Sequence, residues 1–129
     1  MTLPKTLKVG PFEFQVELSD KLDEDCYGHL EYEKRKLSVL ERLGNFDQHS
    51  TILHEALHAI DDCYGLELGE RGVQCLETTL TQLIKDNPEW ARELVSACTG
   101  EPLVTIGPIV IQDTLGDTAE GLRDYLKNA

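Results

Sequence analysis

The sequence has no long hydrophobic run and no CxxC cysteine pair. No stretch approaches the roughly 18 consecutive apolar residues that a membrane span needs, and the first residues, MTLPKTLKVG, lack the apolar core of a signal peptide. We therefore expect a cytoplasmic protein. The four cysteines match no zinc-finger spacing, so we expect free and mostly buried thiols at Cys26, Cys63, Cys75 and Cys98.

Basic residues are also scarce, with 12 Lys and Arg against 24 Asp and Glu and a formal net charge of −12. This balance opposes binding to a phosphate backbone, so we expect no direct contact with nucleic acid. The one basic cluster, EKRKL at residues 33–37, is short and lies among glutamates. An acidic surface that imitates DNA remains an alternative, supported by the net charge alone.

The remaining composition is that of a globular protein, with 40% hydrophobic and 28% charged residues in a chain of 129. We expect one domain over residues 1–129. The segment KVGPFEFQVELS, residues 8–19, alternates apolar and polar side chains, which predicts one half-buried strand. A loop is expected around DEDCYGHLEYEKRK, and a second short strand over residues 36–42.

Helical patterns follow in the middle of the chain. The first predicted helix spans residues 48–64, with Asp47 as N-cap and Gly65 as left-handed C-cap. A second spans residues 70–85, and a third follows Asn87 and ends before Gly100. Residues 101–129 predict a hairpin or extended arm and a short terminal helix. The predicted fold class is α+β, with early strands, central helices and a mixed tail.

The first helix contains the motif HEALH at residues 54–58. Side chains four residues apart on a helix share one face, so His54 and His58 can offer two imidazole nitrogens to one ion. Glu55 points about 100° away from His54, where it can accept a proton from water that a zinc ion acidifies. Burial of unpaired histidine and glutamate would be costly without a ligand. The motif therefore predicts a site for one Zn²⁺ per chain, with Glu55 as the general base.

A third zinc ligand is expected from the second helix. Glu77 lies in register with the apolar stripe of Val73, Leu80 and Ile84, where a carboxylate is out of place unless something binds it. Glu70 lies on the same stripe two turns earlier, but at the helix start it could simply stabilise the helix dipole. We favour Glu77 and keep Glu70 as the alternative.

Several other polar residues near the motif have alternative roles. His29, expected in a loop, and His49, five residues before His54, are less attractive as third ligands. Asp61 or Asp62 could orient a ligand imidazole, or could be ordinary acidic residues at a helix end. Nothing in the sequence selects a residue that stabilises an oxyanion, although Tyr64 and His29 are the types that do so.

These residues together resemble a known family. TILHEALHAIDDCYGLEL, followed by a helix with an inward glutamate and by KDNPEW, resembles the small zincin-like metallopeptidases of bacteriophages and prophages, which are similar in layout to minimal gluzincin and ImmA/IrrE-type domains. The resemblance covers about residues 7–95. It implies a sheet packed on the motif helix, zinc as cofactor, His54 and His58 as ligands and Glu55 as base. Glu77 matches by position only, because Thr81 stands where the gluzincin pattern ExxxD has its aspartate.

We therefore expect a zinc endopeptidase that acts on a cytoplasmic protein. One alternative is a zincin-fold binding protein with a structural or vestigial metal, and another is the acidic DNA mimic. An intact Glu55 favours the enzyme, because a purely structural site has little need for that carboxylate.

Overall fold

A computed structural model describes residues 3–22 and 26–102 of the chain. It contains strands β1 Thr6–Val9, β2 Phe12–Ser19, β3 Gly28–Glu31 and β4 Lys36–Leu40, and helices α1 Asn45–Tyr64, α2 Gly69–Asp86 and α3 Pro88–Thr99. The predicted α+β class is confirmed. The arm and terminal helix predicted for the tail lie outside the described residues.

The strands form one mixed sheet in the order β1-β2-β4-β3. Strands β2 and β4 are parallel, and the other two pairs are antiparallel. The strand predicted over residues 8–19 is confirmed for Phe12–Ser19 and wrong at its start, because Gly10 turns the chain with a φ of 56° and separates β1 from β2. The loop predicted around residues 23–36 is wrong in part, because it contains β3. Four residues with a leading glycine carry too little periodicity to show this strand, and its pairing with β4 stabilises it.

The hydrophobic core lies between one face of the sheet and α1. Phe14, Leu37 and Val39 are at most 1% exposed. They come from β2 and β4, and Ile52 and Ala59 of α1 pack against them. Alternate strand residues point to one face, so the alternation in the sequence supplies this apolar layer.

The helix ends agree with the sequence except at the start of α1. The prediction of Asp47 as N-cap is wrong, because α1 begins at Asn45 after an extended Gly44 and Asp47 lies in its first turn. The left-handed conformations predicted for Gly65 and Gly100 are confirmed. On α2, Val73 is fully buried, but Ile84 at the other end of the predicted stripe is exposed.

The chain divides into two compact units, residues 1–86 and 87–129. The first contains the sheet, α1 and α2, and the second contains α3, none of whose residues is buried. The single domain expected over the whole chain stays a prediction. Among the described residues no helix has the length and apolar character to cross a membrane. All four cysteines are free as expected, but none is buried, so that part of the prediction is wrong.

Candidate metal centre

The two histidines of the HEALH motif lie one helical turn apart on α1. Their ring centroids are 4.9 Å apart. The side chains of His54 and His58 keep 17% and 25% of their surface exposed, so both reach solvent from a largely enclosed position. The spacing of four residues places them together on one face of α1.

Glu70, in the first turn of α2, contacts both histidines. One carboxylate oxygen lies 2.9 Å from Nε2 of His54, and the other lies 2.7 Å from Nε2 of His58. The two Nε2 atoms therefore point toward one position, and a single carboxylate reaches both. Of the two carboxylates considered from the sequence, Glu70 is the one that makes these contacts.

The donor atoms fit a metal ion. One atom from each of His54, His58 and Glu70 lies within 4.8 Å of the others, and this group could hold a metal ion. In a tetrahedral zinc site with bonds of about 2.0–2.1 Å, neighbouring ligand atoms are about 3.3 Å apart. The contacts with Glu70 are slightly shorter than that separation, so small side-chain movements would accommodate an ion.

Glu77 lies on the other side of the His54 ring. Its Oε1 atom is 3.8 Å from Nδ1 of His54, and its side chain is 23% exposed against 67% for Glu70. In metal sites the ring nitrogen that does not bind the ion commonly faces a carboxylate, which fixes the tautomer and the ring orientation. The position of Glu77 suits that role. The expectation that it supplies the third ligand stays a prediction.

Glu55 lies in the floor of the same site. The residue is 8% exposed, and burial raises the pKa of its carboxyl group, while the nearby His54 and His58 act in the opposite direction. Its neighbour on the sheet side is Gly28 of β3. A Cβ atom on that glycine would lie 3.3 Å from Cγ of Glu55. The carboxyl group is thus largely shielded from water beside both histidines.

These side chains line a cleft of about 820 Å³ formed by α1, α2 and β3. His29 also lines it, from β3 and not from the loop expected in the sequence analysis. His49 is not among the lining residues. Tyr27 and Gly28 also line the cleft, although no pattern in the sequence predicts them there. Their position in the cleft depends on the pairing of β3 with β4, and no periodic pattern in the sequence indicates that pairing.

The two aspartates after the motif have different positions. The Asp61 carboxylate accepts hydrogen bonds from the backbone N–H groups of Leu68 and Gly69. Asp62 is exposed at the cleft. In the described part of the chain, no imidazole donates a hydrogen bond to either aspartate. Tyr64 is directed to the β1–β2 turn, where its hydroxyl would lie 2.8 Å from a Cβ atom on Gly10.

Comparison with known proteins gives no match for this chain among family models, curated proteins or solved structures.

Proposed function

We propose that this chain is a zinc-dependent peptidase of the zincin-like type that its motif resembles. The observation that supports it is the Glu70 carboxylate placed on Nε2 of both His54 and His58, with Glu55 buried beside them. Two imidazoles and one carboxylate are the donor set of a catalytic zinc site that leaves one position open. We therefore propose His54, His58 and Glu70 as the ligands, with Glu77 beside the second nitrogen of His54.

Glu55 carries the proton transfers in this proposal. When bound, zinc would polarise the peptide carbonyl and lower the pKa of a water molecule. The Glu55 carboxylate accepts one proton from the attacking water and later delivers it to the nitrogen of the leaving amine. Water and one peptide bond are consumed, and a carboxylic acid and an amine are formed. The raised pKa of Glu55 suits this exchange, because a general base works best when its pKa lies closer to the working pH.

The neighbouring strand supports a peptide as the substrate. Strand β3 is an edge of the four-stranded sheet and lines the cleft. The backbone N–H of Leu40 donates to the carbonyl of Tyr27 at 2.8 Å. Because hydrogen-bonded pairs alternate along an antiparallel ladder, the backbone groups of Gly28 and Leu30 point away from β4, to the side where the described residues add no further strand. An extended peptide could pair there as an added strand.

The free cysteines fit a reducing compartment, so we place the substrate among cytoplasmic proteins. If the phage resemblance holds, that compartment is the host cytoplasm.

The test compares the wild type with Glu55→Gln, which removes the base and retains all three proposed ligands. Both proteins are purified without added metal, and zinc per chain is measured by elemental analysis before and after incubation with ZnCl₂. We expect about one zinc per chain in both. A quenched-fluorescence peptide library should be cleaved by the wild type and about 10²–10⁴-fold more slowly by Glu55→Gln.

Two results would overturn the proposal at different points. Failure of both proteins to take up zinc would remove the metal site. Stoichiometric zinc with no cleavage of the library would remove the peptidase activity and leave a zinc-binding protein. Stoichiometric zinc with equal cleavage by the two proteins would remove the role of Glu55 as general base.

A further inference from the structure

The connection between α1 and α2 determines where Glu70 lies. It has only four residues, 65–68, between Tyr64 and Gly69. Positive φ angles of 63°, 60° and 69° occur at Gly65, Glu67 and Gly69. Glu67 is the one of these three that is not glycine, and a side chain in this region is unfavourable without support from its surroundings. The turn is therefore tightly wound, and its conformation requires stabilising contacts.

Asp61 contacts both ends of this turn. Its backbone carbonyl accepts from the N–H groups of Gly65 at 2.8 Å and Leu66 at 3.3 Å, which closes α1. Its carboxylate accepts from the N–H of Leu68 at 3.1 Å and, more weakly, from that of Gly69 at 3.4 Å. One residue therefore ties the end of α1 to the beginning of α2.

The partial charge at the start of α2 favours an acidic residue at position 61. Asp61 lies in the last turn of α1, which contains no basic residue and where a negative charge is unfavourable. At the start of α2 the same charge is favourable, since unpaired N–H groups and the positive end of the helix dipole meet it. Leu68, directly before α2, has no side-chain oxygen with which to cap the helix. Asp61 supplies that cap from the preceding helix.

Glu70 follows immediately after the amide that Asp61 holds. Its side chain is 67% exposed, so packing restrains it little, and its position depends on the backbone of the first turn of α2. A shift of that turn would move the carboxylate away from the two Nε2 atoms.

We propose that Asp61 is a positioning residue that holds Glu70 against His54 and His58 and so sets the affinity of the metal site. This inference rests on the proposed function, because it requires that Glu70 bind the ion. Asp61 makes no hydrogen bond with either imidazole in the described part of the chain. It acts through the backbone N–H groups at the start of α2.

The experiment measures the dissociation constant for Co²⁺, a spectroscopic substitute for zinc, by absorbance titration of the full chain at a temperature where every variant is folded. The proteins are the wild type, Asp61→Ala, Glu70→Gln and the double variant. Asp61→Asn, which keeps one acceptor oxygen, serves if Asp61→Ala does not fold. Val9→Ala, in the core of β1, is a control that loses stability without altering the turn.

We expect Asp61→Ala to weaken Co²⁺ binding by about 10- to 100-fold and to change the visible absorption of the bound ion, as removal of partners outside the ligand set commonly does. In the Glu70→Gln background the same change should have no further effect, and Asp61→Asn should lie between Asp61→Ala and the wild type. Val9→Ala should bind as the wild type does.

The positioning role is contradicted if the wild type binds Co²⁺ and Asp61→Ala binds within about twofold of it, or if the effects of Asp61→Ala and Glu70→Gln simply add. Failure of the wild type itself to bind Co²⁺ or Zn²⁺ would instead remove the proposed metal site. The two failures are therefore distinguishable.

Discussion

A Cβ atom placed on Gly28 would lie only 2.4 Å from Cγ2 of Thr51, so the edge strand β3 and helix α1 approach each other too closely for any side chain. The same Cβ would lie 3.1 Å from the backbone oxygen of Ser38. This approach brings β3 against α1 one turn before the HEALH motif and thereby forms the wall of the cleft.

Gly28→Ala should therefore destabilise the fold by about 1–3 kcal/mol, as overpacking of a buried contact usually does. Thr51→Ser, which removes Cγ2, should restore part of that loss in the double variant. Gly44→Ala is the matched control, because nothing lies within 4 Å of its Cβ position and its φ of −67° suits any residue. Urea denaturation gives the free energy of unfolding of the wild type and of each variant. Equal stabilities of Gly28→Ala and Gly44→Ala would refute the close approach.

The two carboxylates near the histidines should differ in their effect on zinc binding. Glu70 contacts Nε2 of both rings, whereas Glu77 faces Nδ1 of His54 from 3.8 Å. Glu70→Gln should weaken zinc affinity by more than about 100-fold, and Glu77→Gln by about tenfold, the lower end of what a partner outside the ligand set costs. Competition with a chromophoric chelator measures both constants. The reverse order would make Glu77 the ligand, as the sequence pattern favoured.

Burial of Glu55 should make the stability of the metal-free protein depend on pH. Its pKa is raised above the ordinary value of 4.5, mainly by desolvation, so the folded state binds this proton more tightly than the unfolded chain does. The resulting contribution to stability is present below pH 4.5 and is lost as the pH rises through the folded-state pKa. With a chelator present, Glu55→Gln should therefore melt above the wild type at pH 7, and the difference should shrink toward pH 4.

Glu13→Gln, at an exposed position on β2, is the control for this measurement and should track the wild type at every pH. Thermal melts followed by circular dichroism from pH 4 to pH 8 suffice. If Glu55→Gln is instead less stable than the wild type at pH 7 without metal, the cost of desolvating the Glu55 carboxylate is offset by its surroundings and the prediction is wrong.

Zinc should raise the melting temperature through the same site. A ligand at 100 times its dissociation constant stabilises the folded state by about 2.7 kcal/mol. For a compact unit of the size of residues 1–86, which carry the site, each kcal/mol corresponds to roughly 4–8 °C, so a shift of about 10–20 °C is expected. His58→Ala should abolish most of it, and His49→Ala, on the same helix but outside the cleft lining, should retain it. Mg²⁺ should give little shift, because it prefers oxygen ligands. An equal shift in His58→Ala would place the zinc elsewhere.

Much of the local structure follows from short-range patterns. The alternation around Phe14 and Val16 predicts a strand because successive strand residues point to opposite faces. Gly65 and Gly100 predict helix ends because the left-handed conformation is accessible to glycine at little cost. The errors lie where local signals are weak. Gly10 looked like part of a continuous strand, and β3 looked like a loop.

In the site, too, the residues placed by helix periodicity could be predicted, and those placed by contacts between elements could not. His54, Glu55 and His58 stand together because the period of an α-helix, written directly in the spacing of HEALH, places them there. Which carboxylate reaches the histidines depends on the path of the turn between α1 and α2, with its left-handed residues and the Asp61 cap, and no periodicity encodes that path. The sequence by itself determined the two histidines, the buried glutamate and the helix that carries them. Only the tertiary structure decided that Glu70 faces both Nε2 atoms and that β3 lines the cleft, because contacts between separate elements depend on how those elements pack together.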